Sequence, residues 1–243
     1  MDLHNKVVII TGASSGIGLE IARVLAASGA RLLLSARRAD KLLAAQTDLQ
    51  AAGAEVAYHV GDVTSEADCR AIVGAAVGAF GTVDVLVNNA GWGPPKPLLE
   101  LDEDFWDKTL NACLKSVYLM TRAALPTMLE KGGGTIVQIS SVAGKHGYAE
   151  RAAYCAAKWG VQGFTESLKD EFGDQGIRAH VINPGAVATP WWENTDDAQT
   201  DEVMARMIPV GAVAEAVRWV LSQPDMVQID EVVMRTFRSP WAG

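Results

Sequence analysis

Short β-rich runs alternate with alanine- and leucine-rich segments along this chain of 243 residues. The intervening segments, for example 17–27, 40–52 and 65–79, have helical periodicity. VVIIT and VDVLV are almost wholly apolar, as expected of parallel strands that are covered on both faces. The alternation predicts an α/β fold: a doubly wound, parallel, seven-stranded sheet with helices on both faces. The predicted strands are 7–11, 31–35, 55–60, 83–87, 135–140, 178–182 and 228–234.

Length and composition restrict the classes of function. No stretch resembles an interdomain linker, so one domain over residues 1–243 is expected. A net charge of −8 argues against nucleic acid or an anionic membrane as a partner. No apolar run approaches the ~20 residues of a membrane helix, and no signal peptide is predicted. Cys69, Cys113 and Cys155 have no metal-ligand spacing and cannot all pair, so we expect no metal and a cytoplasmic protein.

A glycine-rich turn, TGASSGIG, follows the first predicted strand and leads into a helix. Gly12, Gly16 and Gly18 allow close approach of the backbone to a pyrophosphate, and the helix that begins near Ile17 points its amides at the anion. Such a turn alone could be an ordinary connection, and its spacing differs from G-x-G-x-x-G. Its place between strand and helix favours nucleotide binding.

The end of the second predicted strand, LLLSARR, indicates which dinucleotide binds. An acid near this point holds the adenosine ribose hydroxyls, whereas an arginine accepts a 2′-phosphate. Here there is no acid, and Arg37 lies nineteen residues after Gly18. We therefore predict NADP(H) rather than NAD(H), with Arg37 and Ser14 on the phosphate. Arg38 fits better as a surface residue at the start of a helix.

Two further strand ends offer cofactor contacts. Asp62 and Val63 follow the third strand and are suited to flank an adenine, although Asp62 could instead cap the helix that begins at 64–65. Asn89, Ala90 and Gly91 follow the fourth strand and suit a cofactor at the switch point of the sheet, with a structural turn as the alternative.

Tyr154 and Lys158 are four residues apart in AYCAAKWG, and Ser141 lies thirteen residues before Tyr154. On a helix this spacing places the phenol and the ammonium on one face. At about 4 Å and an effective dielectric constant near 20, an ammonium would favour a phenolate by roughly 4 kcal/mol. A tyrosine in this setting suits acid–base work on an alcohol or a carbonyl. An ordinary pair on a helix face is the alternative.

Six sequence elements follow one another along the chain: TGASSGIG, NNAG (88–91), Asn111, Ser141, YCAAK (154–158) and NPG (183–185). Their order and spacings resemble those of the short-chain dehydrogenase/reductase family. The resemblance covers about residues 5–190. It implies a single-domain Rossmann fold with a cofactor half at about 1–90 and a catalytic half at about 91–243. It also implies a nicotinamide cofactor and a homo-oligomer, a tetramer or a dimer.

The resemblance implies roles for individual residues. Tyr154 is the expected catalytic acid/base, Lys158 the residue that makes the phenol ionise and binds the nicotinamide ribose, and Ser141 the residue that holds the substrate oxygen. Asn111 is expected to anchor a water that relays protons to Lys158. Ser140 could be mistaken for the catalytic serine, but the spacing of thirteen favours Ser141. The expected cofactor-binding residues are Gly12, Ser14, Ser15, Gly16, Ile17, Gly18, Arg37, Arg38, Asp62, Val63, Asn89, Ala90, Gly91, Tyr154, Lys158, Pro184, Gly185, Val187 and Thr189.

The expected substrate pocket lies in loops whose sequences are irregular. Trp92, Trp191 and Trp192 should border the nicotinamide, with His146 after the catalytic serine. Residues 186–207 are too polar and broken for the core and are expected to form a lid. Because residues 193–202 carry five acids and no lysine or arginine, we expect this lid to disfavour highly anionic substrates. Pro126 is expected to kink or end the long helix that begins near Asp102.

These features predict an NADP(H)-dependent oxidoreductase that transfers a hydride between nicotinamide and a carbonyl compound or secondary alcohol. A catalytically silent NADP(H)-binding sensor or scaffold is the first alternative. The tuned phenol argues against it, because a binding protein does not need one. An enzyme that uses its nicotinamide for dehydration or epimerisation is the second alternative, although such relatives are usually longer.

Overall fold

The computed structural model describes residues 2–192 and 198–241 of the chain. Within these ranges, seven parallel strands form one sheet in the order β3-β2-β1-β4-β5-β6-β9. All seven predicted strands are confirmed, with ends displaced by up to three residues. They are β1 (Val7–Thr11), β2 (Arg31–Ala36), β3 (Val56–Val60), β4 (Val85–Asn88), β5 (Gly134–Ile139), β6 (Ile177–Pro184) and β9 (Glu231–Met234); β7 (Val187–Ala188) and β8 (Ile208–Pro209) form a separate pair.

Helices cover both faces of the sheet and make a hydrophobic core on each side, so the predicted single-domain Rossmann fold is confirmed. On one face Ile21 and Leu25 pack with Val217 against the inner strands. On the other face Ile72, Met120 and Leu168 do so. The helices are α1 (Gly16–Ala27), α2 (Ala39–Ala51), α3 (Glu66–Phe80), α4 (Glu103–Leu110), α5 (Ser116–Glu130), α6 (Ala152–Phe172), α7 (Asp201–Ala205) and α8 (Val210–Ser222).

The strand order reverses between β1 and β4, which are neighbours in the sheet although β2 and β3 lie between them in the chain. In a doubly wound sheet, ligands bind in the crevice outside the carboxyl ends of the strands at such a point. The topology therefore predicts a ligand site at the turns that follow Thr11 and Asn88.

α5 does not end at Pro126, one of the two outcomes expected for this residue, because the helix continues to Glu130. Proline removes one backbone donor, but Ala124 and Met128 are fully buried against the sheet, and this packing holds the helix together. The helix is irregular instead at Asn111–Lys115, a single π-helical segment between α4 and α5.

The expected lid at 186–207 is more ordered than its sequence suggests. Val187 is 6% and Trp192 8% exposed, and β7 pairs with β8, so part of this segment belongs to the core. Residues 193–197, which hold three of the five acids, lie outside the described residues.

Across residues 2–192 and 198–241, no helix is both long and apolar enough to cross a membrane. The same part of the chain has no cluster of residues that could hold a metal ion.

Candidate active site

A cleft of about 2400 Å³ runs along the carboxyl ends of the strands. It is lined by almost every residue that the sequence predicts for the cofactor and for catalysis, from the glycine-rich turn to Asn111, Ser141, Tyr154 and Lys158. Gly18 and His146 are not among the lining residues that the structure describes. Most of the predicted site therefore comes together in one cavity, although its parts are far apart in the chain.

The N-terminus of α1 opens into this cleft. The side chain of Ser15, which precedes the helix, makes no capping hydrogen bond, and the first turn holds no acid. Ser65 and Asp102 do cap α3 and α4. Because unpaired first-turn amides carry the positive end of the helix dipole, α1 offers a site for a phosphate.

Gly12 and Gly18 allow the helix and the strands to approach closely. Gly12 has a φ of +66°, and a Cβ there would lie 2.9 Å from Nδ2 of Asn89. A Cβ on Gly18 would lie 2.6 Å from the carbonyl oxygen of Gly12. Gly18 thus serves the packing of α1 against the turn and does not line the cleft.

Arg38, not Arg37, lies on the glycine-rich turn. Its Nη2 donates hydrogen bonds to Oγ of Ser14 at 3.0 Å and to Oγ of Ser15 at 2.9 Å. Arg37 points elsewhere, with its Nη1 4.0 Å from a carboxylate oxygen of Asp62, and its side chain is 76% exposed. Arg38 is also the exposed residue directly before α2, as expected of a surface residue at the start of a helix, and both arginines line the cleft.

Asp62 forms a turn and does not cap α3. Its Oδ1 accepts hydrogen bonds from the backbone N–H and the hydroxyl of Thr64, and Ser65 is the residue that caps the helix. Partial burial acts to raise the pKa of Asp62, but the bonds from Thr64 and the charge of Arg37 outweigh it, so the pKa is lowered. Asp62 is therefore an acceptor at the edge of the cleft near neutral pH.

Thr11 fixes the turn after β4, a role that the sequence did not reveal. Its hydroxyl accepts from the backbone N–H groups of Asn89 and Ala90 at 3.0 and 3.1 Å, and Nδ2 of Asn89 donates to the Thr11 carbonyl. These bonds join β1 to the turn at the point where the strand order reverses.

Tyr154 and Lys158 lie on the cleft face of α6, as their spacing predicts. Nζ of Lys158 lies 5.6 Å from the centroid of the Tyr154 ring and donates to the carbonyl of Ile139 at 2.8 Å. Lys158 is only 5% exposed and has no carboxylate partner within the described ranges. An ammonium has three donors, so Lys158 can also bind a ligand hydroxyl or water from inside the cleft.

Ser141 and Ser140 differ in what their hydroxyls do. Oγ of Ser141 accepts from the N–H of Ala143 at 3.1 Å, which leaves its proton to be donated into the cleft. Ser140 is 3% exposed, and its hydroxyl contacts the carbonyl of Lys158 and the side chain of Gln162. The geometry favours Ser141 as the substrate-facing serine.

Asn111 begins the π-helical segment, where its carbonyl accepts the N–H of Ser116. Single π-turns inside helices are frequent at functional sites. Within the same segment, Sγ of Cys113 accepts from the N–H of Trp92 and donates to its carbonyl. The π segment thus brings Asn111 and the loop after Gly91 to one side of the cleft.

The three predicted tryptophans line the cleft, but His146 does not. Trp192 is buried and its Nε1 donates to the carbonyl of Val187, while Trp191 is half-buried and packs edge-on against it at 4.7 Å. The loop after Ser141 exposes His146 to solvent and turns Tyr148 towards the cleft instead.

Sequence reasoning missed several lining residues at this end of the cleft. The C-terminal tail reaches it with Arg235 and Trp241, whose ring lies 6.3 Å from that of Trp192. Glu150 and Arg151 precede α6 and join it to the loop after β4. The sequence offered one signal for Arg235, which follows the last strand directly. Because β9 pairs with β6, a residue just after β9 lies near the carboxyl end of β6, which lines the cleft.

Comparisons with known proteins agree with this geometry. A family model described as short chain dehydrogenase matches residues 6–200. An uncharacterized oxidoreductase of Listeria innocua is 35% identical over 248 residues, which cover 99% of this chain and all of that protein.

Two solved structures are similar over most of the chain. An alcohol dehydrogenase of Thermococcus sibiricus, complexed with 5-hydroxy-NADP, has a TM-score of 0.88 and 31% identity, covering 96% of this chain and 97% of that one. A single-residue variant of the actinorhodin polyketide ketoreductase with NADPH has a TM-score of 0.86 and 35% identity, covering 94% and 95%. The chain belongs to the short-chain dehydrogenase family.

Proposed function

We propose that this protein is an NADP(H)-dependent oxidoreductase that interconverts a carbonyl compound and an alcohol. The observation that carries the proposal is one cleft that contains both an open helix N-terminus with Arg38 beside it and the set Asn111, Ser141, Tyr154 and Lys158. We assign the cofactor half to about 1–90 and the catalytic half to about 91–243.

The cofactor end of the cleft fits a dinucleotide with a 2′-phosphate. Gly12 and Gly18 leave no room for a side chain in the glycine-rich turn, and the amides of α1 face the cleft. The guanidinium of Arg38, held by two serine hydroxyls, suits a phosphate, and Arg37 adds a second positive charge. Asn89 to Gly91, Pro184, Gly185, Val187 and Thr189 would flank the rest of the cofactor. NADP(H), when bound, supplies or accepts the hydride.

The chain's own residues move the proton. Tyr154 gives its phenolic proton to the substrate oxygen in reduction and takes it back in oxidation. The buried ammonium of Lys158 stabilises the phenolate and can hold the ribose hydroxyls. Ser141 donates a hydrogen bond to the negative charge that develops on the substrate oxygen, and Asn111 holds the water that returns a proton to Lys158.

The walls of the substrate end suit a compound with an apolar part. Trp92 and Trp191 present half-buried rings, and Trp192 and Tyr148 extend the same wall. Two of the similar proteins with NADP-type cofactors are an alcohol dehydrogenase and a ketoreductase, which supports carbonyl/alcohol chemistry.

The test follows the absorbance of the reduced nicotinamide while the protein is mixed with NADPH and a panel of aldehydes and ketones. We expect turnover with at least one carbonyl compound and an alcohol as the product. Tyr154→Phe should lose most turnover and keep nearly unchanged affinity for NADPH, whereas Tyr118→Phe, on the outer side of α5, should behave as wild type. Binding of NADPH without turnover of any carbonyl compound would favour the sensor or scaffold alternative.

We also propose a cytoplasmic homo-oligomer. The three cysteines are free and buried, which suits a reducing compartment. Trp219 of α8 is 48% and Val233 of the edge strand β9 44% exposed, so this side has apolar surface that a second copy can cover. Light scattering of the purified protein should give a mass of two or four chains.

A further inference from the structure

A second groove of about 890 Å³ lies beside the carboxyl end of β9. Its apolar part consists of Met207, Ile208 and Met234, and the nearly fully exposed ring of Phe237 borders it. Three arginines, 206, 235 and 238, stand around this apolar part. The groove therefore combines a surface for hydrocarbon with a concentration of positive charge.

Arg235 connects this groove to the proposed active site. It lines both the groove and the main cleft. The N–H of Gly185 donates to the carbonyl of Met234 at 2.8 Å, and a Cβ on Gly185 would lie 3.9 Å from Cα of Arg235. Arg235 thus stands next to the NPG turn at the end of β6, where the cleft passes into the groove.

The charges of the groove are only partly neutralised. Arg206 forms an ion pair with Glu202. Arg235 and Arg238 have no carboxylate partner within residues 2–192 and 198–241, although the protein carries a net charge of −8. A planar guanidinium at the edge of an apolar groove is suited to bind a carboxylate through two parallel hydrogen bonds.

We propose that the groove binds the carboxylate end of the substrate, so that the physiological substrate is a keto acid or hydroxy acid whose acidic group lies apart from the reacting carbon. This inference rests on the proposed function and specifies its substrate class. The carbonyl lies at Ser141 and Tyr154, the hydrocarbon chain crosses the cleft, and Arg235 holds the carboxylate where the cleft passes into the groove. A single carboxylate is compatible with the acidic segment at 193–202, which is expected to disfavour highly anionic substrates.

The experiment compares a series of linear keto acids of increasing length with their methyl esters, each reduced with NADPH. We expect at least one acid to have a kcat/KM at least tenfold above that of its ester. Arg235→Ala should lower this preference, measured as the ratio of kcat/KM for the acid to that for its ester, at least tenfold through a higher KM for the acid. Arg235→Lys should restore part of the preference, and Arg218→Ala, on the outer side of α8, should leave it unchanged.

Two results would overturn the assignment of the groove. One is equal use of acids and esters by the wild type across the series. The other is an equal loss for acid and ester in Arg235→Ala with an unchanged melting temperature, because Arg235 would then serve the cofactor or the loop and not the carboxylate. A failure of the proposed function has a different signature, since neither acids nor esters nor neutral ketones would then be reduced.

Discussion

Gly93 lies against the ring of the proposed catalytic tyrosine, and replacing it by alanine should impair catalysis without preventing folding. A Cβ at this position would lie 2.4 Å from Cδ2 and 3.1 Å from Cγ of Tyr154. Carbon atoms in contact are normally about 3.5–4.0 Å apart. The variant therefore needs a displacement of about 1 Å in the ring or in the loop.

The loop cannot recede freely, because two hydrogen bonds join it to the residues before α6. Nη1 of Arg151 donates to the Gly93 carbonyl at 2.9 Å, and the N–H of Lys96 donates to the Glu150 carbonyl at 2.7 Å. The phenol of Tyr154 is then the group that moves. A misplacement of about 1 Å can reduce a rate about 100-fold, which corresponds to about 2.7 kcal/mol of activation free energy.

We expect kcat/KM of Gly93→Ala for the best carbonyl substrate to be about 100-fold below the wild type, with a much smaller change in the dissociation constant for NADPH. Gly147→Ala is the matched control, since Gly147 also lies in a loop near the cleft, has no positive φ, and has open space where its Cβ would be. Initial rates, fluorescence titration with NADPH and melting temperatures separate catalysis from binding and folding. A Gly93→Ala enzyme with a third or more of wild-type kcat/KM would refute the steric argument.

Two further predictions concern the cofactor and stability. Arg38→Ala should weaken NADPH binding about tenfold or more and leave NADH binding nearly unchanged, and equal losses in the two titrations would contradict the phosphate assignment. Burial acts to raise the pKa of Asp84, but hydrogen bonds from Lys131 and from the N–H of Val7 hold it below its usual value. Because these bonds stabilise the folded state, Asp84→Ala should lower the unfolding free energy by about 2–3 kcal/mol. Because the folded-state pKa is depressed, this contribution is complete above about pH 4 and is lost as the pH falls through the folded-state pKa; urea denaturation of both proteins at several pH values tests it. Asp225→Ala, whose side chain is 87% exposed, is the control and should change stability by less than about 0.5 kcal/mol.

The sheet could be predicted from the sequence because each strand is a short apolar run between helical segments. Strand ends were less accurate where polar residues take part in tertiary hydrogen bonds. The last strand was predicted from residue 228 but begins at Glu231. Gln228 instead donates through its side chain to the carbonyl of Ala179 on β6, so it does not join the ladder. Periodicity does not reveal such a bond.

The two ends of the cleft differed in how much of them could be predicted. The cofactor end is built from contiguous segments in which a strand, a turn and a helix follow one another, so local sequence is informative. Even there the sequence did not reveal that Arg38, and not Arg37, contacts Ser14, because both lie beyond the end of β2, where strand alternation no longer fixes side-chain direction. At the substrate end, Tyr148 and Arg235 come from distant segments that meet only in the folded chain.

The π-helical segment at Asn111–Lys115 is a feature of the backbone near the proposed active site that the sequence did not reveal. The sequence predicts a long helix from near Asp102, which contains Asn111, but there the N–H of Ser116, five residues on, bonds to the Asn111 carbonyl. The longer turn inserts one residue, which changes the angular relation between the residues before and after it. In this chain α4 ends with Asn111 at the cleft, and α5 buries Met120 in the core on one face of the sheet. The backbone irregularity therefore lies at the point where the helix passes from the residue that lines the cleft to the residues that fill the core.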